Sequence, residues 1–341
     1  MSINPKHILV IRLSALGDVA MTIPVLRAFS RQYPEVRITV LTRQFFSPFF
    51  RDIPNTIVFN IDLEHKHKGI LGLYRLSKEL KRLEIDGVAD LHNVLRSNIL
   101  KLFMSGLPFA QIDKGRAEKK ALTSGKIFKQ LKTTHLRYAN VFGSLGYKID
   151  LLNPLFPERR SLSENVQALL GNKVEKWVGI APFAQYESKM YPLSKMEEVI
   201  KRLNSQKGLK ILLFGGGESE VWQMDDIQSN FENVINVAGK FSMDEELDII
   251  SNLDLMLSMD SGNAHIAAML GIKVISLWGV THPYGGFYPF GQNIEWAILA
   301  DREEFPKIPT SVYGNKYPKE YRELMGSISP AEIEKKIKTL L

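Results

Sequence analysis

The sequence contains no cysteine, so its stability does not rely on disulfides. It also lacks any apolar run near the roughly 18 to 20 residues that span a bilayer. Arg12 and Asp18 interrupt the apolar amino-terminal stretch, which is atypical of a signal peptide and typical of a first strand. With 341 residues the chain is long enough for two domains, and we expect a cytoplasmic protein.

Several catalytic motifs are absent as well. The sequence has neither the G-x-x-x-x-G-K-[ST] of P-loop NTPases nor the G-x-S-x-G of α/β-hydrolases. It has no D-x-D pair and no H-x-x-x-H pair that would indicate metal ligands. Gly215–Gly217 follows a predicted strand, but the sixth position of a dinucleotide fingerprint falls on Glu220. The sequence therefore gives no support for a P-loop, an α/β-hydrolase site, a metal site or a complete dinucleotide fingerprint.

Strand-like and helix-like apolar patterns alternate along the chain, which predicts right-handed crossovers and parallel sheets. The alternation pauses at 151–160, where Pro154 and Pro157 indicate a linker, and then restarts. We therefore expect Rossmann-like domains at 1–155 and 156–325. The remaining segment, 326–341, is predicted to end in a helix with one apolar face that packs back on the N-terminal domain.

The stretch from Asp254 to Pro289 contains a predicted strand, a turn and an alanine-rich helix. The turn is Asp260-Ser261-Gly262-Asn263, and His265 follows in the first helical turn. A helix start at the carboxyl edge of a parallel sheet offers free N–H groups and a positive dipole end, which suits a phosphate. An ordinary helix cap is the simpler interpretation of the same residues.

A second turn of this kind, Ser14-Ala15-Leu16-Gly17-Asp18, follows the first predicted strand. Asp18 could cap the helix that begins beside it. Alternatively, ligands of such folds bind at the carboxyl edge, so Asp18 and Asp260 are expected to face a cleft between the two sheets.

The segment from Asp113 to Lys132 is strongly basic, with seven Lys and Arg residues against two acids. A solvated helical face and an anion-binding loop are both consistent with this run. The net charge of +7 permits nucleic acid, anionic lipid or a phosphorylated glycan as a partner. Phe128 is the only aromatic residue in the segment, which disfavours base stacking and hence nucleic acid.

Two motifs together resemble one enzyme family. ILVIRLSALGDVAMTIPVLRAF is similar to the opening signature of family 9 glycosyltransferases, the ADP-heptose:lipopolysaccharide heptosyltransferases. MDSGNAHIAAMLGIKVISLWGVTHP resembles their nucleotide-sugar signature, and the similarity spans roughly Lys6 to Phe290. The resemblance implies the α/β GT-B fold, in which two Rossmann-like domains with parallel sheets face a central cleft. It also implies an N-terminal acceptor site and a C-terminal donor site.

The resemblance further implies transfer of heptose from ADP-heptose, with inversion and without a metal or cofactor, to a lipopolysaccharide core acceptor of the lipid A-Kdo type. Asp18 would be the general base, and Lys189 would neutralise the donor diphosphate. The implied donor-binding residues are Gln185, Glu218, Phe241, Asp260, Ser261, Gly262 and His265. The implied acceptor-binding residues are Ser14, Gly17, Arg96, Lys114, Arg116, Lys119 and Lys120. An anionic glycolipid acceptor suggests peripheral contact with the inner face of the cytoplasmic membrane.

Three alternatives remain open. One is a noncatalytic protein of the same fold that binds an anionic polymer or a nucleotide. Another is a family 9 transferase that uses a different nucleotide-sugar, because the chain departs from common family residues at Ala184, Gln185, Tyr191 and Val280. The third is a nucleotide-sugar epimerase, although the Tyr-x-x-x-Lys match of Tyr74 and Lys78 lies on a predicted helix far from any glycine fingerprint.

Overall fold

The computed structural model describes residues 4–173 and 175–341, which divide into two compact units. The first unit contains the chain up to Lys114 together with Thr134–Leu155. The second contains Gly115–Thr133 and Phe156–Leu341. Most of the basic segment therefore belongs to the second unit, although it lies in the first half of the sequence.

The first unit is built on a five-stranded parallel sheet in the order β3-β2-β1-β4-β5. Its strands are β1 (His7–Ile11), β2 (Arg37–Thr42), β3 (Thr56–Asn60), β4 (Gly87–Asp90) and β5 (Phe109–Gln111). Its helices are α1 (Leu16–Ala20), α2 (Thr22–Gln32), α3 (Gly69–Lys81), α4 (Leu95–Phe103) and α6 (Thr134–Gly143), with a 3-10 helix at Gln44–Phe50.

The second unit is built on a six-stranded parallel sheet in the order β11-β10-β9-β6-β7-β8. Its strands are β6 (Lys176–Ala181), β7 (Leu209–Leu213), β8 (Val234–Asn236), β9 (Leu255–Met259), β10 (Lys273–Trp278) and β11 (Ala297–Leu299). Its helices are α5 (Arg116–Thr123), α7 (Glu164–Leu170), α8 (Leu193–Asn204), α9 (Glu218–Ser229), α10 (Met243–Ser251), α11 (Gly262–Met269) and α12 (Pro330–Leu340). Short 3-10 helices occur at Glu187–Lys189, Pro283–Gly285, Ile294–Trp296, Lys319–Tyr321 and Leu324–Ser327.

The central strands are buried, which explains their apolar sequences, and neighbouring strands end at a common edge of the sheet. Strands β1, β4 and β9 are buried at every residue, as expected for parallel strands covered on both faces. Ile11 at the end of β1 lies opposite Leu41 of β2 and Asp90 of β4, so the carboxyl ends of these strands meet at one edge. The predicted α/β class with parallel sheets in both halves is confirmed.

The last helix packs within its own unit. Ile333 and Ile337 of α12 are fully buried in the core of the second unit, and the helix contacts α8, β9 and β10. Its apolar face completes the core beside α8, and contact of this helix with the N-terminal domain stays a prediction. Within the described residues, no helix is long and apolar enough to cross a membrane.

Candidate active site

A buried arginine holds Asp18 at the carboxyl edge of the first sheet. Asp18 lies in the first turn of α1, and its side chain is 32% exposed. Arg12, one residue beyond β1, forms an ion pair with the Asp18 carboxylate through Nη2, while its Nη1 donates to the Leu91 carbonyl oxygen at 2.7 Å. No side chain caps α1, whose N-cap is Ala15. The carboxylate of Asp18 is thus oriented by Arg12 rather than used as a helix cap.

Tyr138 of α6 supports the same turn from within the core. Its hydroxyl donates to the Asp18 carbonyl oxygen at 3.3 Å, and its ring centroid lies 5.9 Å from the Arg12 guanidinium carbon. Burial raises the pKa of Tyr138, so the phenol stays neutral and remains a hydrogen-bond donor. The buried, neutral hydroxyl of Tyr138 therefore holds the turn that carries the Arg12–Asp18 ion pair.

His92 follows β4 and faces the same turn. Its Nε2 lies 3.5 Å from the Ser14 hydroxyl, and the Asp90 carboxylate accepts the backbone N–H of His92 at 2.9 Å. Burial, together with nearby cations, lowers the pKa of His92 to about 3, so the ring is neutral at pH 7. The cations that contribute are Arg12, Lys114, Arg43 and Arg96. Two predicted acceptor residues, Arg96 and Lys114, thus act electrostatically on this edge.

The second unit contains a buried cation–carboxylate pair. Lys189 Nζ lies 2.8 Å from Asp260 Oδ2 and donates to the Asp260 carbonyl oxygen at 3.1 Å. The side chains of Lys189 and Asp260 are 14% and 7% exposed. Thr281, which follows β10, donates its hydroxyl to Asp260 Oδ2 at 2.8 Å. Three strand ends therefore contribute to one polar cluster.

This cluster lies at the amino end of α11. Ser261 is the N-cap residue, but its side chain does not cap the helix and instead shares a hydrogen bond with Ser258 Oγ at 3.0 Å. Gly262 is the first helical residue, and His265 is buried in the first turn. The amino end of a helix attracts an anion through its N–H groups and dipole, and the Lys189 ammonium, paired with Asp260, lies at this same end. The arrangement suits a phosphate.

The other predicted donor residues follow neighbouring strands at this edge. Gln185 follows β6 and is exposed, Glu218 begins α9 after β7 and is exposed, and Phe241 follows β8 and is half-buried. Because parallel strands end at the same edge, the topology collects all of them on the side of Asp260. Tyr191 is a core residue whose hydroxyl donates to the Ile328 carbonyl oxygen at 2.8 Å.

The predicted acceptor residues do not share one unit. Ser14, Gly17, Arg96 and Lys114 lie in the first unit, whereas Arg116, Lys119 and Lys120 lie on α5 in the second. Lys119 is buried, with Nζ 3.9 Å from the Phe287 ring centroid, while Arg116 and Lys120 are exposed. Part of the basic segment thus packs against its own unit and part stays in solvent.

The sequence alone did not assign Arg12, His92 or Tyr138 to these clusters. For Arg12, a charge at the end of a buried strand was the available signal. His92 also follows a strand at a carboxyl edge, and that position was its only signal. Among the described residues, no group of three or more His, Asp or Glu side chains is arranged to hold a metal.

The architecture and these strand-end clusters define the class of protein. The structure of a family 9 glycosyl transferase from Veillonella parvula matches with a TM-score of 0.75 and 20% identity, over 100% of this chain and 98% of that one. The structure of the E. coli ADP-heptose lipopolysaccharide heptosyltransferase II matches with a TM-score of 0.71 and 19% identity, over 98% of each chain. The protein has the GT-B fold of the glycosyltransferases.

Sequence comparison then gives the family. The model of glycosyltransferase family 9 (heptosyltransferase) matches residues 73–316. The lipopolysaccharide core heptosyltransferase OpsX of Haemophilus influenzae is 24% identical over 288 residues, which cover 82% of this chain and 80% of that protein. The chain belongs to glycosyltransferase family 9 and is a glycosyltransferase, as its two motifs led us to expect.

Proposed function

We propose that this enzyme transfers heptose from ADP-heptose to a lipopolysaccharide core acceptor of the lipid A-Kdo type, with inversion at the anomeric carbon. The names of two similar proteins, an ADP-heptose heptosyltransferase and a lipopolysaccharide core heptosyltransferase, support this substrate pair. The structural observation that carries the proposal is the Lys189 ammonium 2.8 Å from Asp260 at the amino end of α11. This is a charged anchor suited to the diphosphate of a nucleotide-sugar.

Asp18 acts as the general base in this mechanism. Its carboxylate accepts the proton of the acceptor hydroxyl while that oxygen bonds to the anomeric carbon and the bond to ADP breaks. Arg12 pairs with Asp18 Oδ2 and so restrains the direction of the carboxylate. General base catalysis of this kind contributes about 10² to 10⁴ in rate.

Lys189 and α11 stabilise the leaving group. Negative charge on the departing ADP grows as the sugar becomes oxocarbenium-like, so a fixed cation and helix N–H groups bind the transition state more strongly than the ground state. Asp260 holds Lys189 in place before the donor binds, and Thr281 holds Asp260. The remaining donor groups, Gln185, Glu218, Phe241 and His265, would surround the nucleotide and sugar without a metal or cofactor.

The acceptor is an anionic glycolipid in this proposal. Arg96 and Lys114 lie near His92 at the edge that carries Asp18, and their charges suit acidic or phosphorylated sugars. Because the acceptor carries a lipid, the enzyme would work as a peripheral protein at the inner face of the cytoplasmic membrane.

Replacing Asp18 by asparagine tests the proposed base. Asp18→Asn keeps the size of the side chain but removes its basicity, so kcat should fall by about 10² to 10⁴ while the affinity for ADP-heptose stays nearly unchanged. The measurement is steady-state kinetics with saturating donor and acceptor, with the exposed Asp226→Asn as the matched control. Near-normal turnover by Asp18→Asn would falsify the role of base, and a product with retained anomeric configuration by NMR would contradict inversion.

A further inference from the structure

The outer faces of α3 and α4 in the first unit carry large apolar side chains in contact with solvent. The exposed fractions are 64% for Ile70, 77% for Leu71, 46% for Tyr74, 76% for Leu95 and 73% for Leu102. The two helices pack side by side, and the rings of Tyr74 and Phe103 lie 5.5 Å apart. We name these five residues, with the basic side chains of the two helices, the α3–α4 surface.

These apolar residues are not needed by the core of the unit. Helix α3 already buries Leu73, Leu76 and Leu80 on its inner face, and α4 buries Leu100. An amphipathic surface helix normally carries polar residues on the opposite face. A group of exposed Ile, Leu and Tyr side chains on two adjacent helices instead marks an interaction surface.

The charges of the α3–α4 surface have one sign. The two helices contain five basic residues and a single acid, Glu79. Glu79 is engaged by the Lys66 ammonium at 2.9 Å, and the His67 ring nitrogen lies 3.5 Å away. The basic residues are Arg75, Lys78, Lys81, Arg96 and Lys101. Aliphatic side chains therefore lie among uncompensated positive charges.

Charge decides between the candidate partners. A symmetric dimer through this surface would place the same patch against itself, so cation would meet cation. A nucleic acid would satisfy the charge but offers little to exposed Leu and Ile, since single strands are bound through stacked aromatic rings. An anionic bilayer matches both the positive charge and the apolar side chains, because Leu and Ile enter the acyl boundary while Lys and Arg reach the head groups.

We propose that the α3–α4 surface binds the head-group region of an anionic lipid bilayer. Helix α4 begins just beyond β4, and β4 ends at Asp90, opposite Ile11 of β1. Leu95 and Arg96 therefore lie at the same sheet edge as Arg12 and Asp18. A bilayer on this surface would present a lipid-anchored acceptor to Asp18 while its acyl chains stay in the membrane. This last step rests on the proposed function, whereas the binding surface does not.

Vesicle co-sedimentation of the full-length chain tests the surface. The protein should bind phosphatidylcholine vesicles that contain phosphatidylglycerol, bind pure phosphatidylcholine weakly, and dissociate as salt rises. The double substitution Leu71→Glu and Leu102→Glu should lower vesicle binding by about tenfold or more. Leu152→Glu with Leu155→Glu is the matched control, because these leucines are 85% and 60% exposed but lie outside the surface.

A second pair, Arg75→Glu with Lys78→Glu, tests the charge and should also abolish the preference for phosphatidylglycerol. Equal binding by wild type and both surface variants would overturn the proposal, as would an equal loss in the control pair. Self-association in solution that Leu71→Glu and Leu102→Glu abolish would identify a second copy as the partner and overturn it too. Asp18→Asn should bind vesicles normally, so failure of the transferase mechanism and failure of this surface give different results.

Discussion

Two cation–carboxylate pairs, one in each unit, carry the proposed chemistry. In the first, the cation is the inner partner: Arg12 is buried, and the Asp18 carboxylate is the more exposed group. In the second, both Lys189 and Asp260 are largely buried. A base has to reach an acceptor hydroxyl, whereas an anchor gains strength from exclusion of water. The difference in burial therefore fits the two roles.

Substitution of Lys189 should weaken nucleotide binding. Lys189→Met removes the ammonium at the amino end of α11 and leaves the Asp260 carboxylate without its cation. The affinity for ADP should therefore fall about 10- to 100-fold, as expected for loss of a charge-assisted hydrogen bond. Isothermal titration calorimetry with ADP measures the change. Lys201→Met, at an exposed position of α8, is the matched control. Unchanged ADP affinity in Lys189→Met would remove Lys189 from the donor site.

The residues of the site could be predicted from the sequence more readily than the contacts between them. The turn at Asp260 and the turn at Asp18 are both evident as polar breaks after apolar strands. The contact of Lys189 with Asp260 joins residues 71 positions apart, and no local pattern encodes such a distance. The role of Arg12 likewise depends on the register of β1 and β4, which brings Leu91 and Asp18 to the same guanidinium.

Among the helices, α10 begins with a local N-terminal capping motif. The Ser242 hydroxyl accepts the Glu245 N–H at 3.3 Å, and Glu245 Oε2 accepts the Ser242 N–H at 3.0 Å, which forms a capping box. Hydrogen bonds from the Ser242 backbone, and then from Asn165, the Ser242 hydroxyl and Ser163, lower the pKa of Glu245 to about 2. The cap therefore persists across the physiological pH range.

Removal of this cap should destabilise the second unit. Ser242→Ala deletes the acceptor for the Glu245 N–H, so the free energy of unfolding should fall by about 1 kcal/mol. Urea denaturation followed by circular dichroism measures it. Ser229→Ala at the end of α9 is the control and should change stability little, because its hydroxyl only donates to the Asp226 carbonyl oxygen. Equal effects of the two substitutions would contradict the importance of the capping box.

Elements with a clear apolar pattern can be predicted from the sequence, whereas α4, β5 and β11 cannot. The apolar pattern predicts a helix over Met243–Ser251 and a strand over Thr56–Asn60, and the structure has both elements with these bounds. Helix α4 was missed because its apolar residues include the exposed Leu95 and Leu102, which blur the period. Helix α5 is mostly charged and is held by buried Lys119 and Leu122, while β5 and β11 are edge strands of three residues.

At the scale of the whole molecule, two histidines whose surroundings favour the neutral ring link stability to pH. Desolvation and then the charges of Arg12, Lys114, Arg43 and Arg96 lower the pKa of His92 to about 3. Desolvation and then Arg302 lower the pKa of His282 to about 4. His282 Nδ1 accepts the Tyr284 N–H at 3.1 Å, a bond that protonation at this nitrogen would break. In the unfolded chain both rings bind a proton near pH 6.5.

Below pH 6.5 the unfolded state thus binds more protons than the folded state. As the pH is lowered, the free energy of unfolding should therefore decrease by up to about 1.4 kcal/mol per pH unit for each ring. Above pH 6.5 both states are neutral and the effect vanishes. We expect His92→Gln with His282→Gln to reduce the loss of stability between pH 6.5 and pH 4.5. Thermal unfolding across that range measures it, and an unchanged acid dependence in the double variant would contradict the assignment.

Heptose transfer from ADP-heptose can be measured by mass spectrometry of the acceptor. Purified enzyme is incubated with a lipid A-Kdo acceptor and, in separate reactions, ADP-heptose, GDP-sugars and UDP-sugars. The acceptor should gain one heptose residue only with ADP-heptose, with one ADP released for each residue added. An acceptor that is unmodified by ADP-heptose but extended from another nucleotide-sugar would contradict it.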